Sequence, residues 1–106
     1  MAVGFSNGAI MAAATLMTYP DLLSGAILLR PLPPFASPPR TNLDGTPVLV
    51  LDGADDERRT ASDGARLAQE LVTMRAAVTH EVLPVGHTVT EEDERLARAW
   101  LNSRFP

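Results

Sequence analysis

Apolar residues in this chain cluster in short runs, and the spacing within each run predicts its secondary structure. Unbroken apolar runs occupy residues 25–29 and 47–51, and runs of this length are typical of strands that are covered on both faces. Every second side chain of residues 78–84 would lie on the same face of an extended chain, and this alternation predicts a third strand. Residues 1–3 are apolar up to Gly4, so we interpret them as the end of a further strand.

Three other segments have the composition or spacing of helices. Residues 7–18 are mostly Ala, Ile, Met and Leu, and Pro20 ends this segment because the residue before a proline avoids helical geometry. Residues 61–76 carry apolar side chains at helical spacing. A third helix is predicted from the acids after Thr90 to about Ser103. Strands and helices alternate, which predicts an α/β fold with about four parallel strands, the first a stub, and helices on both faces.

Composition limits the size of the protein and the classes of function. The chain has 106 residues with 9 basic and 13 acidic side chains, for a net charge of −4. This length allows one domain, and the mixed charge argues against a nucleic-acid surface. The absence of cysteine excludes disulfides and thiolate sites, and two histidines are too few for a histidine-rich metal cage.

No apolar stretch is long enough for a membrane span, and no basic segment precedes the apolar residues 9–17, so the cytoplasm is the default compartment.

The segment Gly4–Gly8 matches the pattern Gly-x-Ser-x-Gly where a strand ends and a helix begins. Such a turn lifts a nucleophilic serine, here Ser6, clear of the sheet. The N–H of the next residue, Asn7, then points to where an oxyanion would form. We expect a side chain at either glycine to clash with neighbouring backbone. The alternative is a glycine-rich loop with an exposed serine.

Two further segments carry chemistry directly after predicted strands. Asp55 and Asp56 follow the strand at 47–51, at the edge of the sheet where open α/β folds bind their ligands. The alternative is an ordinary polar turn. His87 follows the strand at 78–84 and is a candidate general base. His80 lies inside that strand, and we interpret it as structural. The order serine, aspartate, histidine is that of an α/β-hydrolase triad.

With these motifs the sequence resembles the carboxylesterase/phospholipase-type serine esterases of the α/β-hydrolase superfamily. The resemblance covers, in the order of the family, the segments VGFSNGA, SGAILLRP, PVLVLDGADDERR and VGHTVTEED. It implies Ser6 as nucleophile, His87 as general base and Asp56 as acid, with Asp55 as the alternate acid. It also implies hydrolysis of a small-molecule ester through an acyl-enzyme, without a metal or organic cofactor.

The chain departs from the family pattern at its N-terminus, where it starts three residues before Gly4. We therefore expect residues 1–106 to form a single domain, the C-terminal part of an α/β-hydrolase domain without its N-terminal strands. The second oxyanion donor normally lies in a loop after an earlier strand, so we expect impaired activity. The alternative is a non-catalytic remnant that retains the triad residues. An unpaired edge on the first strand also favours self-association.

The proline-rich segment 30–46 separates two of the predicted strands. Leu32 and Phe35 in this segment, together with Phe5, are candidates for the lining of an acyl pocket. A rigid surface loop and a polyproline-type binding segment are the alternatives. We assign Met11, Met17 and Met74 to core packing.

Overall fold

The computed structural model describes all residues, 1–106, as an alternation of four strands and three helices. In chain order these are β1 (Ala2–Phe5), α1 (Asn7–Thr18), β2 (Ala26–Leu29), β3 (Pro47–Gly53), α2 (Ala61–Thr73), β4 (Ala77–Leu83) and α3 (Glu91–Arg104). The strands form one sheet in the order β1-β2-β3-β4, and every neighbouring pair is parallel. The predicted α/β class with four parallel strands, the first of them short, is confirmed.

Helices cover both faces of the sheet because alternate residues of the central strands point to opposite sides. On one face, α1 and α2 pack against a cluster that includes Ala26, Leu28, Val48 and Val50. On the other face, Trp100 of α3 packs against Ile27, Leu29, Leu49 and Leu51. This double coverage explains why β2 and β3 are continuous apolar runs.

Local signals set the starts of the second and third helices. Thr60 caps α2 in a capping box with Asp63, and Thr90 caps α3 in a second box with Asp93. Each box provides partners for N–H groups that have none within the helix. None of the three helices is both long enough and apolar enough to cross a membrane.

The β1 side of the sheet carries apolar side chains that face solvent. β1 pairs with β2 alone, and Val3 and Met11 are 64% and 68% exposed. The assignment of Met11 to the core is therefore wrong. Its neighbours Ala12 and Ala13 face the sheet, and this orientation of α1 turns Met11 outwards.

Candidate active site

The turn between β1 and α1 holds Ser6 in a backbone conformation that is rare for residues other than glycine. Its φ and ψ angles are 55° and −115°, and conformations of this kind cost on the order of 1–3 kcal/mol and cluster at functional sites. The Ser6 N–H donates to Leu29 O at 2.8 Å, and Ser6 O accepts the N–H of Ile10 at 3.1 Å. The turn is thus anchored to the neighbouring strand and to the helix that follows.

The two glycines of the Gly-x-Ser-x-Gly segment have different surroundings. A Cβ on Gly4 would lie 2.5 Å from the carbonyl carbon of Gly8 and 2.7 Å from the nitrogen of Ala9, which no real Cβ tolerates. A Cβ on Gly8 would meet no atom within 4 Å. The expected clash is therefore present at Gly4. For Gly8 the expectation was wrong, because its carbonyl faces Gly4 while its Cβ position faces open space.

Three of the predicted side chains lie within hydrogen-bond distance of one another at the carboxyl edge of the sheet. His87, in the loop after β4, places Nε2 3.0 Å from Ser6 Oγ. Its Nδ1 lies 2.8 Å from Oδ2 of Asp56, in the loop after β3. The Asp56 side chain is 1% exposed and that of His87 15%. Asp55, the alternate acid, is exposed and directs no side-chain hydrogen bond to His87.

The surroundings of Asp56 favour its ionised form. Burial alone would raise the pKa of this carboxyl, but hydrogen bonds from the Arg59 N–H, the His87 ring and the Arg58 N–H outweigh it and lower the pKa. The two backbone N–H groups donate to Oδ1 at 3.0 and 2.8 Å. An ionised carboxylate can only accept hydrogen bonds. His87 Nδ1 therefore carries the hydrogen, which leaves Nε2 free to accept the Ser6 hydroxyl.

Asn7, the candidate oxyanion donor, is the first residue of α1, so its N–H has no carbonyl partner within the helix. Its side-chain Oδ1 accepts a hydrogen bond from Arg59 Nη2 at 2.9 Å. The loop that holds Asp56 is thus also tied to the start of α1. Sequence reasoning missed Arg59, because nothing in the pattern of an acidic turn indicates a contact with a residue 52 positions earlier.

A cavity of about 500 Å³ adjoins the candidate site, with Phe5, Arg58, His87, Thr88 and Val89 in its lining. The ring centroids of Phe5 and His87 are 5.0 Å apart. The Phe5 ring thus lies beside the His87 imidazole, at the edge of this cavity.

The other two pocket candidates do not line this cavity. Phe35 packs against the core cluster and lines a separate cavity with Arg66 and Glu70 of α2, and Leu32 lines none of the cavities. The proline-rich segment carries Phe35 over α2, and the assignment of Leu32 and Phe35 to an acyl pocket stays a prediction.

A second histidine–aspartate pair lies beside the candidate site and does not join it. His80 Nε2 of β4 is 2.5 Å from Asp52 Oδ2 of β3, and Asp52 Oδ1 is buried without a partner. Burial raises the pKa of Asp52, although His80 and Arg30 oppose this. A Cβ on Gly64 of α2 would overlap the Asp52 carboxylate, so a side chain there would force Asp52 to move. The pair links two strands under α2.

The raised pKa of Asp52 has a consequence for stability. A group whose pKa is higher in the folded protein stabilises it below the unfolded pKa, and this contribution is lost as the pH rises through the folded value. We therefore expect Asp52→Asn to gain stability relative to the wild type as the pH is raised from about 4 to 7, because the amide is never ionised. Urea midpoints at several pH values measure this difference. Asp55→Asn, at an exposed position, is the control, and a difference for Asp52→Asn that does not change with pH would contradict the assignment.

The described residues contain no group of three His, Asp or Glu side chains that could together hold a metal ion. The candidate site brings together the Ser6 hydroxyl, the His87 imidazole and the Asp56 carboxylate, with the Asn7 N–H beside them at the start of α1.

Known proteins resemble this chain in both sequence and structure. No protein-family model matches the sequence. MhqD of Bacillus subtilis (strain 168), a candidate hydrolase by name, is 34% identical over 100 residues, which are 94% of this chain and 50% of MhqD. The crystal structure of the Bacillus cereus carboxylesterase superimposes with a TM-score of 0.94 and 30% identity, over 99% of this chain and 50% of that one.

A second carboxylesterase structure, from Mesorhizobium loti, gives a TM-score of 0.89 and 32% identity, over 94% of this chain and 47% of that one. The chain therefore spans about half the length of the proteins it matches. The match lies in the C-terminal half of these carboxylesterases.

Proposed function

We propose that this chain, which is similar over nearly its whole length to the C-terminal half of carboxylesterases with an α/β-hydrolase fold, is the triad-bearing part of a serine esterase. In this proposal Ser6 is the nucleophile, His87 the general base and Asp56 the acid that orients His87. The observation that supports it best is the continuous hydrogen-bonded chain from Asp56 through His87 to Ser6.

The geometry suits acyl transfer in two steps. His87 Nε2 takes the Ser6 proton while Ser6 Oγ bonds to the ester carbonyl carbon, and the same proton then passes to the leaving alkoxide as the C–O bond breaks. Water next attacks the acyl-enzyme, His87 takes one of its protons and returns it to Ser6 Oγ, and the carboxylic acid leaves. Asp56 remains ionised throughout and stabilises the imidazolium that forms in each step.

The N–H of Asn7 is our candidate for stabilising the oxyanion in both steps. Enzymes of this type generally use two such donors, and the loss of one costs about 10²–10³ in kcat. We therefore propose that the 106-residue chain, assayed by itself, hydrolyses esters slowly. A phosphonate that reacts covalently with the nucleophile is for that reason a more sensitive probe than turnover.

The cavity beside His87 indicates a small substrate. Its volume of about 500 Å³ lies within the range of small-molecule pockets, and Phe5 offers an aromatic ring beside the imidazole. We propose a small carboxylic ester as the substrate class.

The test of the proposed function is covalent labelling of the purified chain with a fluorophosphonate probe, located by peptide mass spectrometry. We expect the label on Ser6 in the wild type, no label in Ser6→Ala, and unchanged labelling in Ser103→Ala, which alters an exposed serine of α3. Hydrolysis of a short activated ester should follow the same order. Equal signals from the wild type and Ser6→Ala would favour the alternative of a non-catalytic remnant.

A further inference from the structure

Arg30, at the end of β2, reaches across the sheet to the loop that carries His87. Its side chain is fully buried, and its backbone has a φ of 55°, a strained value for a residue other than glycine. Nε donates to Gly86 O at 3.1 Å and Nη2 donates to Thr88 O at 3.2 Å. The guanidinium therefore binds the carbonyls on both sides of His87.

The backbone of residues 86–89 accepts hydrogen bonds from Arg30 and forms none with other backbone groups. No backbone–backbone hydrogen bond involves residues 86–89, although Val85 before them and Thr90 after them both form one. Gly86 is half-buried and Thr88 is exposed, so Arg30 holds a loop that strand or helix hydrogen bonds do not hold.

Asp93 fixes the position of the guanidinium. Its two carboxylate oxygens accept Nη1 and Nη2 of Arg30 at 2.9 and 2.8 Å, and neither side chain is exposed. Burial would raise the pKa of Asp93, but the bonds from Arg30 and from the capping residue Thr90 lower it. The pair thus joins the end of β2 to the first turn of α3, with the His87 loop between them.

Stability alone does not account for this ion pair. A buried salt bridge can often be exchanged for apolar side chains of similar volume without loss of stability, whereas removal of one partner is strongly destabilising. What an apolar pair would not supply is the set of N–H donors for Gly86 and Thr88. Arginine at this position also donates from Nη1 to Leu51 O at 3.2 Å, and its bonds to Gly86 O and Thr88 O are the ones that hold the His87 loop.

We infer that Arg30 is a positioning residue, which keeps His87 Nε2 within hydrogen-bond distance of Ser6 by fixing the carbonyls on either side of His87. This inference rests on the proposed function. Displacements of about 1 Å in a reacting group can cost about 10² in rate. We therefore expect the loss of the Arg30 donors to slow the reaction of Ser6 far more than it affects folding.

The experiment compares fluorophosphonate labelling rates of Ser6 in the full 106-residue chain. The key variant is the double substitution Arg30→Met/Asp93→Asn, which removes both charges of the ion pair and keeps an amide oxygen that can accept from Thr90 in the capping box of α3. We expect an unfolding midpoint near that of the wild type and a labelling rate about 100-fold lower. Arg95→Met is the matched control, because Arg95 forms only an exposed pair with Glu92 on α3. It should label at the wild-type rate.

A second variant covers the case in which the double variant does not fold. Arg30→Lys retains a positive charge beside Asp93, but its three N–H groups share one nitrogen and do not reproduce the spread of the guanidinium from Asp93 to Gly86 O and Thr88 O. We expect this variant to fold and to label at an intermediate rate, with the NMR signal of the His87 Nδ1–H shifted or broadened.

Two results would overturn the inference, and they can be told apart. A folded Arg30 variant that labels as fast as the wild type would overturn the role of Arg30 and leave the proposed function intact. A wild type that labels no faster than Ser6→Ala would overturn the proposed function, and the role of Arg30 with it.

Discussion

Gly4→Ala is expected to destabilise the protein by about 3 kcal/mol or more, a large part of the stability of a domain of this size. The added Cβ would meet backbone atoms of Gly8 and Ala9, and backbone cannot turn aside as a side chain can. Relief requires β1 and the start of α1 to move apart, which would also displace Ser6. Urea unfolding followed by circular dichroism measures the loss, and labelling of Ser6 should fall in parallel.

Gly8→Ala is the matched control, since it adds the same methyl group four residues away. Gly8 lies in the first turn of α1 with nothing within 4 Å of its Cβ position, and alanine is favoured over glycine in a helix by roughly 0.5–1 kcal/mol. We expect Gly8→Ala to be as stable as the wild type or slightly more stable. Equal effects of the two substitutions would contradict the geometry of the turn.

Asp56→Asn is expected to lower kcat for ester hydrolysis by about 10⁴ while the protein remains folded. The amide has nearly the same shape as the carboxylate, but its NH₂ group can face His87 Nδ1 as a donor. His87 would then carry its hydrogen on Nε2 and could no longer accept the Ser6 proton. The loss arises from the wrong tautomer and not from a changed position of the ring.

Asp55→Asn provides the control for this second prediction, because Asp55 is the neighbouring residue, carries the same charge and is exposed. It should retain the wild-type labelling rate and esterase activity. Rates for both variants can be measured with the fluorophosphonate probe if turnover is slow. A fast Asp56→Asn together with a slow Asp55→Asn would reassign the acid.

The sheet and its helices could be predicted from the sequence because their signals are local. The run 47–51 is apolar at every position since β3 is covered on both faces, and the capping pair Thr90 and Asp93 marks the start of α3. The parallel arrangement then places Ser6, Asp56 and His87 at one edge, because each follows a strand. Their convergence needed no knowledge of side-chain contacts.

Contacts between distant segments could not be predicted in the same way. In the sequence Arg30 is only the first residue of the proline-rich segment 30–46, although its guanidinium binds residues 56, 58 and 63 positions later. Phe35 is a residue type that often lines apolar pockets, but the path of the proline-rich loop that carries it depends on tertiary packing against α2. Met11 has the residue type of a core position, and only the rotation of α1 decides which face it occupies.

Each of the four strands delivers one of the key groups at its carboxyl end: Ser6 follows β1, Arg30 follows β2, Asp56 follows β3 and His87 follows β4. A slip of one residue between parallel neighbours displaces a strand by about 3.3 Å, which is more than the length of any hydrogen bond in this chain of contacts. If the proposed function holds, the register of the strands therefore also sets the distances among Ser6, Asp56 and His87, and a sheet with an altered register would hold the same side chains too far apart to react together.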